Sequence, residues 1–125
     1  MIDKITYLET DLEKYPLAFT LNVMESIQNE YGSLSNWSEL IQNAKEPNIK
    51  ALKFFITESI NEGIDIENDR INGNRAFISS SKAGRILTEI GLQKVANTIT
   101  KMMAQSMPKD EILQNVNTTK NHHKV

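Results

Sequence analysis

The stretch from residue 15 to residue 37 constrains the fold most, because it passes from an extended segment into a helix and then, after one glycine, into a second helix. Tyr15-Pro16 favours an extended backbone, since a residue that precedes proline is pushed out of the α region. Thr20 can cap the helix that follows, and Gly32 suits its end because glycine tolerates positive φ. The helical apolar positions between them are Val23, Met24, Ile27 and Tyr31. The pattern therefore predicts an extended segment followed by two helices, and it contains no catalytic motif.

Two more helices are predicted before residue 64. Ser33 or Ser35 can cap a short helix, which Pro47 stops because proline disfavours a helical residue before it. Asn48 can cap the strongest helix of the chain, which we expect to end at Gly63 and to form the centre of the core. The expected apolar faces are Trp37, Leu40, Ile41 and Ala44 in the first, and Ile49, Leu52, Phe54, Phe55, Ile56 and Ile60 in the second.

The second half of the chain predicts a polar connection followed by two helices. Residues 64–78 are polar and contain Asn72-Gly73, a strong turn signal, so we expect a loop or a loose hairpin there. Ser79 or Ser80 opens a helix that Gly91 breaks, and a last helix runs to Met107. Their inward positions are predicted as Ala83, Ile86, Leu87 and Ile90, then Leu92, Val95, Ala96, Ile99, Met102 and Met103.

The N-terminal segment alternates in a way that suits a small β-hairpin. Ile5, Tyr7 and Leu8 can form one strand, and Leu17 and Phe19 a second, around the polar residues 9–14. A chain of 125 residues suits one domain. We therefore predict a mainly α fold: a single compact domain of about five helices over residues 1–108, with a small N-terminal β-hairpin, and a polar, flexible C-terminal tail over residues 109–125.

Composition and charge narrow the functional classes. The chain has no cysteine, no signal-peptide pattern and no apolar run of membrane-spanning length, so we expect a soluble, intracellular protein. Residues 1–69 hold thirteen acids against five lysines, a net charge of −8, whereas residues 70–125 hold nine cations against three acids, a net of +6. Halves of opposite sign permit self-association, attraction of an acidic partner, or simply two solvated faces within one domain.

Residues that could carry catalysis or bind a metal are scarce. His122 and His123 are the only histidines, and they lie next to each other near the C-terminus without a third ligand. The acidic run from Asp65 begins like a calcium loop, through Glu67, Asp69 and Asn72, but Arg70 and Ala76 stand where that motif needs glycine and glutamate. We therefore expect a non-enzymatic protein with no metal and no cofactor.

A helix-turn-helix at residues 79–103 is the alternative functional hypothesis, that of a small DNA-binding regulator. The second helix would present Gln93, Asn97 and Thr98 to bases. It carries only two cations for phosphates, Lys94 and Lys101, and its apolar stripe runs along its full length as in a core helix. Nucleic acid is therefore the less favoured partner.

Three segments together resemble the tail assembly chaperones of long-tailed bacteriophages and prophages: YPLAFTLNVMESIQNEYGSL, IKALKFFITESINEGIDI and AGRILTEIGLQKVANTITKMM. The resemblance covers most of residues 15–107. It implies a chaperone in the cytoplasm of the bacterial host, which binds the long tape measure protein and keeps it soluble while tail-tube subunits polymerise around it.

The partner-binding residues are chosen on physical grounds, since the resemblance supplies no residue-level motif for the client surface. Met102, Met103 and Met107 cluster at the end of the last helix, where flexible thioethers could repack against varied apolar partners, although methionines at helical spacing are more often core residues. Trp37 and Phe54 complete the predicted set. The expected partners are the tape measure protein and the tail-tube protein, with a homo-oligomer formed through the acidic and basic halves as a further expectation.

Overall fold

One 23-residue helix, α3 (Ile49–Ile71), organises the structure. The computed structural model describes residues 5–42 and 47–106. The other elements, in chain order, are β1 (Thr6–Glu9), β2 (Lys14–Leu17), α1 (Leu21–Tyr31), α2 (Leu34–Gln42), α4 (Ser80–Ile90) and α5 (Leu92–Ser106). α3 packs against β2 and against each of these four helices. The predicted mainly α fold with an N-terminal hairpin is confirmed, whereas the predicted tail, the boundary at residue 108 and Ala44 lie outside the described residues.

Four helices begin at the polar residues that the sequence indicates. In each case the side chain of the capping residue accepts a hydrogen bond from a backbone N–H of the first turn, which has no partner within the helix. The caps are Thr20 for α1, Ser33 for α2, Asn48 for α3 and Ser79 for α4. Gly32 and Gly91 end α1 and α4 at φ values of 88° and 103°. These boundaries confirm the sequence prediction.

The predicted hairpin is present as a two-stranded antiparallel sheet. Tyr7 pairs with Pro16 and Leu8 with Tyr15. Leu8 and Tyr15 are buried, and so is Pro16, although its partner Tyr7 is exposed, so β2 is covered on both faces whereas β1 lies at the surface. Thr10 closes the turn, because its backbone N–H donates to the Glu13 carbonyl oxygen at 2.9 Å.

Strand β2 and the residue after it lie directly on the backbone of α3. The Ala18 N–H donates to the Ser59 carbonyl oxygen at 3.1 Å, and the Ser59 hydroxyl donates to the Ala18 carbonyl oxygen at 3.0 Å. One turn later, a Cβ atom on Gly63 would lie 2.7 Å from the Pro16 carbonyl oxygen. Small residues at positions 59 and 63 therefore allow the strand to approach the helix closely. We call this contact the β2–α3 seam.

The prediction that the third helix ends at Gly63 is wrong. Gly63 lies inside α3, which continues to Ile71, and the residue that ends it is Asn72 with a left-handed φ of 54°. The glycine is needed for the close approach of β2 and not for a helix end. The segment 64–71, predicted as a loop, is therefore helical, and the Asn72-Gly73 signal marks a helix C-terminus instead of a hairpin turn.

Two asparagines of α3 hold the connection to α4. The Asn61 amide bonds both the N–H and the carbonyl oxygen of Ile78, at 2.8 and 3.1 Å, and Asn68 does the same for Arg75, at 3.0 Å for both bonds. Seven helical residues rise about 10.5 Å, and three extended residues span about 10 Å. The two spacings match, so the connection runs back along α3 in a defined register.

Aromatic packing fills the centre of the core. The Phe55 ring stacks on Trp37 with centroids 5.0 Å apart and lies 5.7 Å from the Phe19 ring. The Trp37 indole N–H donates to the Ala51 carbonyl oxygen at 3.1 Å, so its polar atom is satisfied although the residue is buried. Within the described ranges, no helix combines the length and apolar composition needed to cross a membrane.

Gly63→Ala should lower the free energy of unfolding by about 1–3 kcal/mol, because the new methyl group would collide with the Pro16 backbone, which cannot rotate away. Gly84→Ala is the matched control. It makes the same change inside α4, where the nearest atom to the added carbon is the flexible Lys53 Cε at 3.6 Å, and it should raise stability by about 0.5–1 kcal/mol. Urea unfolding measures both. A Gly63→Ala protein as stable as the parent would contradict the close approach at the seam.

Candidate functional site

A groove of about 580 Å³ lies between the N-terminal half of α3 and the start of α4. We call it the Phe54 groove. Its lining is mostly apolar in surface and consists of Ile49, Lys50, Lys53, Phe54, Thr57, Glu58 and Ser80. Six of these residues lie on one face of α3, at spacings of three and four residues that bring side chains together on a helix. The volume falls within the range of about 300–1,000 Å³ that is typical of ligand pockets.

Phe54 is held in place on one side and open on the other. Its ring and the Tyr31 ring meet edge to face, at a centroid distance of 5.6 Å and an interplanar angle of 77°. This edge-to-face geometry is favourable for aromatic pairs. The neighbouring Phe55 points into the core and is fully buried, whereas Phe54 is only partly buried. Consecutive residues of α3 thus serve the core and the groove.

Tyr31 contributes an unpartnered hydroxyl beside this ring pair. Among the described residues its buried Oη has no hydrogen-bond partner. Burial raises the pKa of the Tyr31 phenol, and the Glu30 carboxylate raises it further. The neutral phenol is therefore the form that the folded protein favours.

Two lysines give the Phe54 groove a positive rim. Two ion pairs occur among the described residues, Lys14 with Glu9 and Arg75 with Glu13, and neither includes Lys50 or Lys53. The Lys53 side chain runs past Gly84, between α3 and α4. Glu58 is the one acid of the lining.

The structure buries three of the five predicted partner-binding residues. Trp37 is 1% exposed, Met102 2% and Met103 8%. Trp37 packs on Phe55 and both methionines lie on the buried face of α5, so this structure does not expose these three side chains to a partner. Met107 lies outside the described residues. Of the predicted set, Phe54 lines the groove.

Sequence reasoning missed the residues that accompany Phe54. Ile49 is predicted to be inward, but it is 59% exposed because the first residue of α3 extends beyond the packed core. Lys50 and Lys53 are not predicted as site residues. They share one helical face with Phe54, at spacings of three and four residues. That spacing could have indicated this surface, because the apolar stripe with Leu52 and Phe55 marks another face of α3 as the buried one.

The other candidate sites gain no supporting geometry. Asp65, Glu67 and Asp69 lie on α3 and not in a loop. The part of the chain that the structure describes contains no group of three or more His, Cys, Asp or Glu side chains placed to hold a metal. His122 and His123 lie outside it.

The helices of the DNA-binding alternative are present, but their connection is short. Only Gly91 separates α4 from α5, whereas a helix-turn-helix uses about 3–4 residues for its turn. The buried positions of α5 are Val95, Ala96, Ile99, Met102 and Met103. Lys94 and Lys101 are exposed, as that hypothesis requires. DNA binding stays a prediction that no observed geometry favours.

Tyr31→Phe should raise the free energy of unfolding by about 1 kcal/mol, because it removes a buried hydroxyl without a partner and keeps the ring against Phe54. Tyr15→Phe is the matched control: the Tyr15 hydroxyl donates to Glu13 Oε1 at 3.0 Å, so its loss should destabilise the protein.

The stability of the parent protein should also depend on pH through Tyr31. The pKa of the Tyr31 phenol is raised on folding, so its contribution to stability is present below pH about 10 and is lost as the pH rises through the raised pKa. The advantage of Tyr31→Phe should therefore grow at alkaline pH. Urea unfolding of parent and variant at neutral pH and above pH about 10 checks this. A Tyr31→Phe protein less stable than the parent would contradict the prediction.

The Phe54 groove combines apolar surface with a few charged and hydroxyl groups. Its lining offers an aromatic ring, an exposed isoleucine, two amines, one carboxylate and two hydroxyls. No protein-family model, curated protein or solved structure matches the chain. The geometry of the groove and the resemblance in three sequence segments are therefore the grounds for a functional proposal.

Proposed function

We propose that the protein is a non-enzymatic tail assembly chaperone of a phage or prophage, acting in the cytoplasm of the bacterial host. It binds the tape measure protein, which we call the client, through the Phe54 groove and keeps it soluble until tail-tube subunits polymerise around it. The resemblance of the three sequence segments indicates the class of protein. The groove supplies a surface suited to an apolar helix.

The observation that carries the proposal is the apolar pair of exposed Ile49 and partly buried Phe54 on the first turns of α3. Ile49 is 59% exposed and Phe54 is open toward the groove, while the same turns of α3 bury Leu52 and Phe55 completely. Grooves of this kind accept the apolar face of an amphipathic helix. Because α3 is packed on its other side, little order has to be gained on binding, which lowers the entropic cost.

The mechanism is the covering of an apolar stripe by weak contacts. One groove is small, so a single contact with the client is short-lived. A client with many such stripes would carry many copies of the chaperone, and each copy would shield one stripe from aggregation. Weak individual contacts also let the tail-tube protein displace the copies as it polymerises. Association between copies through the acidic and basic halves would add to this coating.

The direct test is co-expression of the tagged protein with the phage or prophage tail genes, followed by pull-down and mass spectrometry. We expect recovery of the tape measure protein and a larger soluble fraction of it than without the chaperone. Recovery of nuclease-sensitive DNA without any tail protein would instead support the regulator.

Ile49→Ser should weaken client binding about fivefold, since losing one apolar contact of this size costs about 1 kcal/mol. Ile71→Ser is the matched control, because Ile71 lies on the same helix, is 74% exposed and does not line the groove. Both changes are neutral in charge and should leave the fold intact. The soluble fraction of co-expressed client measures the effect. An equal loss in both variants, or in neither, would remove the groove from the proposal.

A further inference from the structure

Lys50 occupies a position that is electrostatically unfavourable for the isolated protein. It lies in the first turn of α3, where the unpaired N–H groups give a helix its positive end. Anionic side chains are stabilising there and cations are not, yet this turn contains no acid. A residue that breaks a local rule, with no compensating ion pair among the described residues, is a candidate for function.

A second lysine adds to the positive charge at this end of the groove. Ser80, the first residue of α4, lines the other end, because the hydrogen bonds between Asn61 and Ile78 place the start of α4 near Glu58. Lys53 lies one turn after Lys50 on the same face. Neither lysine forms an ion pair with another described residue. The groove is thus positive although it belongs to the half of the chain whose net charge is −8.

We propose that the Phe54 groove selects client segments in which carboxylates flank the apolar side chains. The apolar residues would contact Ile49 and Phe54, and the carboxylates would meet Lys50 and Lys53 at the rim. This inference rests on the proposed function and adds the chemistry of the client. Glu58 disfavours acidic residues at the other end of the groove, so the carboxylates belong at the Lys50 end.

The proposal predicts that stability and binding change in opposite directions at Lys50. Lys50→Glu places an acid at a positive helix end, so it should raise the melting temperature by about 2–6 °C. The same change repels a carboxylate in the groove and should weaken binding of an acidic segment. A lysine with a purely structural role would not show this opposition.

Three synthetic amphipathic peptides of about 18 residues, which is about five helical turns, provide the probes. They share one apolar stripe and differ only in the flanking residues, which are Glu, Gln or Lys. Fluorescence anisotropy should give the order Glu tighter than Gln and Gln tighter than Lys. The Glu peptide should lose its advantage at high salt, since exposed charge pairs are screened.

Lys50→Glu combined with Lys53→Glu should weaken binding of the Glu peptide about threefold to tenfold, as expected for the loss of two partly exposed ion pairs. It should also reverse the order of affinity of the three peptides. Lys94→Glu is the matched control for the single change Lys50→Glu. Lys94 is exposed in the first turn of α5, which also lacks an acid, so this change should stabilise the fold similarly while leaving peptide binding unchanged. If Lys94→Glu weakened peptide binding as much as the groove variants do, net charge alone would explain the result, and the proposal would be overturned.

The outcomes separate this inference from the proposed function. A client that is recovered by the parent protein and by the Lys50→Glu Lys53→Glu variant alike would overturn the charge selection only. A client that neither protein recovers would overturn the chaperone proposal. Sedimentation velocity of the protein alone adds one more outcome: self-association that the groove variants abolish would assign the groove to an acidic surface of a second copy, and would overturn the client assignment.

Discussion

The close approach of β2 to α3 is the constraint on which the rest of the structure depends. The Ala18 backbone donates to the Ser59 carbonyl oxygen and accepts from the Ser59 hydroxyl, and Gly63 leaves room for Pro16 to lie against the helix. The strand leads directly into Thr20, whose hydroxyl caps α1 and also donates to the Glu62 carboxylate at 2.6 Å. The seam thereby sets where α1 begins relative to α3, and α1 in turn directs α2.

The position of the Phe54 groove follows from this arrangement. The seam lies on the middle and later turns of α3, and the aromatic core covers one face of its first turns through Phe55. The opposite face of the first turns carries Ile49 and Phe54, beside the start of α4. The asparagine contacts of the connection at residues 73–79 fix where α4 begins. The groove is therefore a consequence of how the helices are joined.

Local signals predicted what depends on a few neighbouring residues. Thr20, Asn48 and Ser79 were identified as caps because a cap needs only its own side chain and the first turn of its helix. Gly63 could not be interpreted in this way, since a glycine suits both a helix end and a close contact with a distant strand, and only the fold distinguishes them. The same applies to Trp37: the sequence shows a large amphipathic side chain, but the stack on Phe55 that buries it depends on the packing of α2 against α3.

A lysine at the start of a helix has different consequences for the free and the bound protein. In the free protein Lys50 opposes the helix dipole, at a cost of about 0.3–1 kcal/mol for an exposed position. In a complex with an acidic segment, the carboxylate would lie close to both the amine and the unpaired N–H groups of the first turn, so the same dipole that disfavours the lysine would favour the partner. The stability lost in the free state is then recovered on binding. In such a complex Phe54 would provide a fixed apolar contact, and the long lysine side chains would adapt to carboxylates at varied positions.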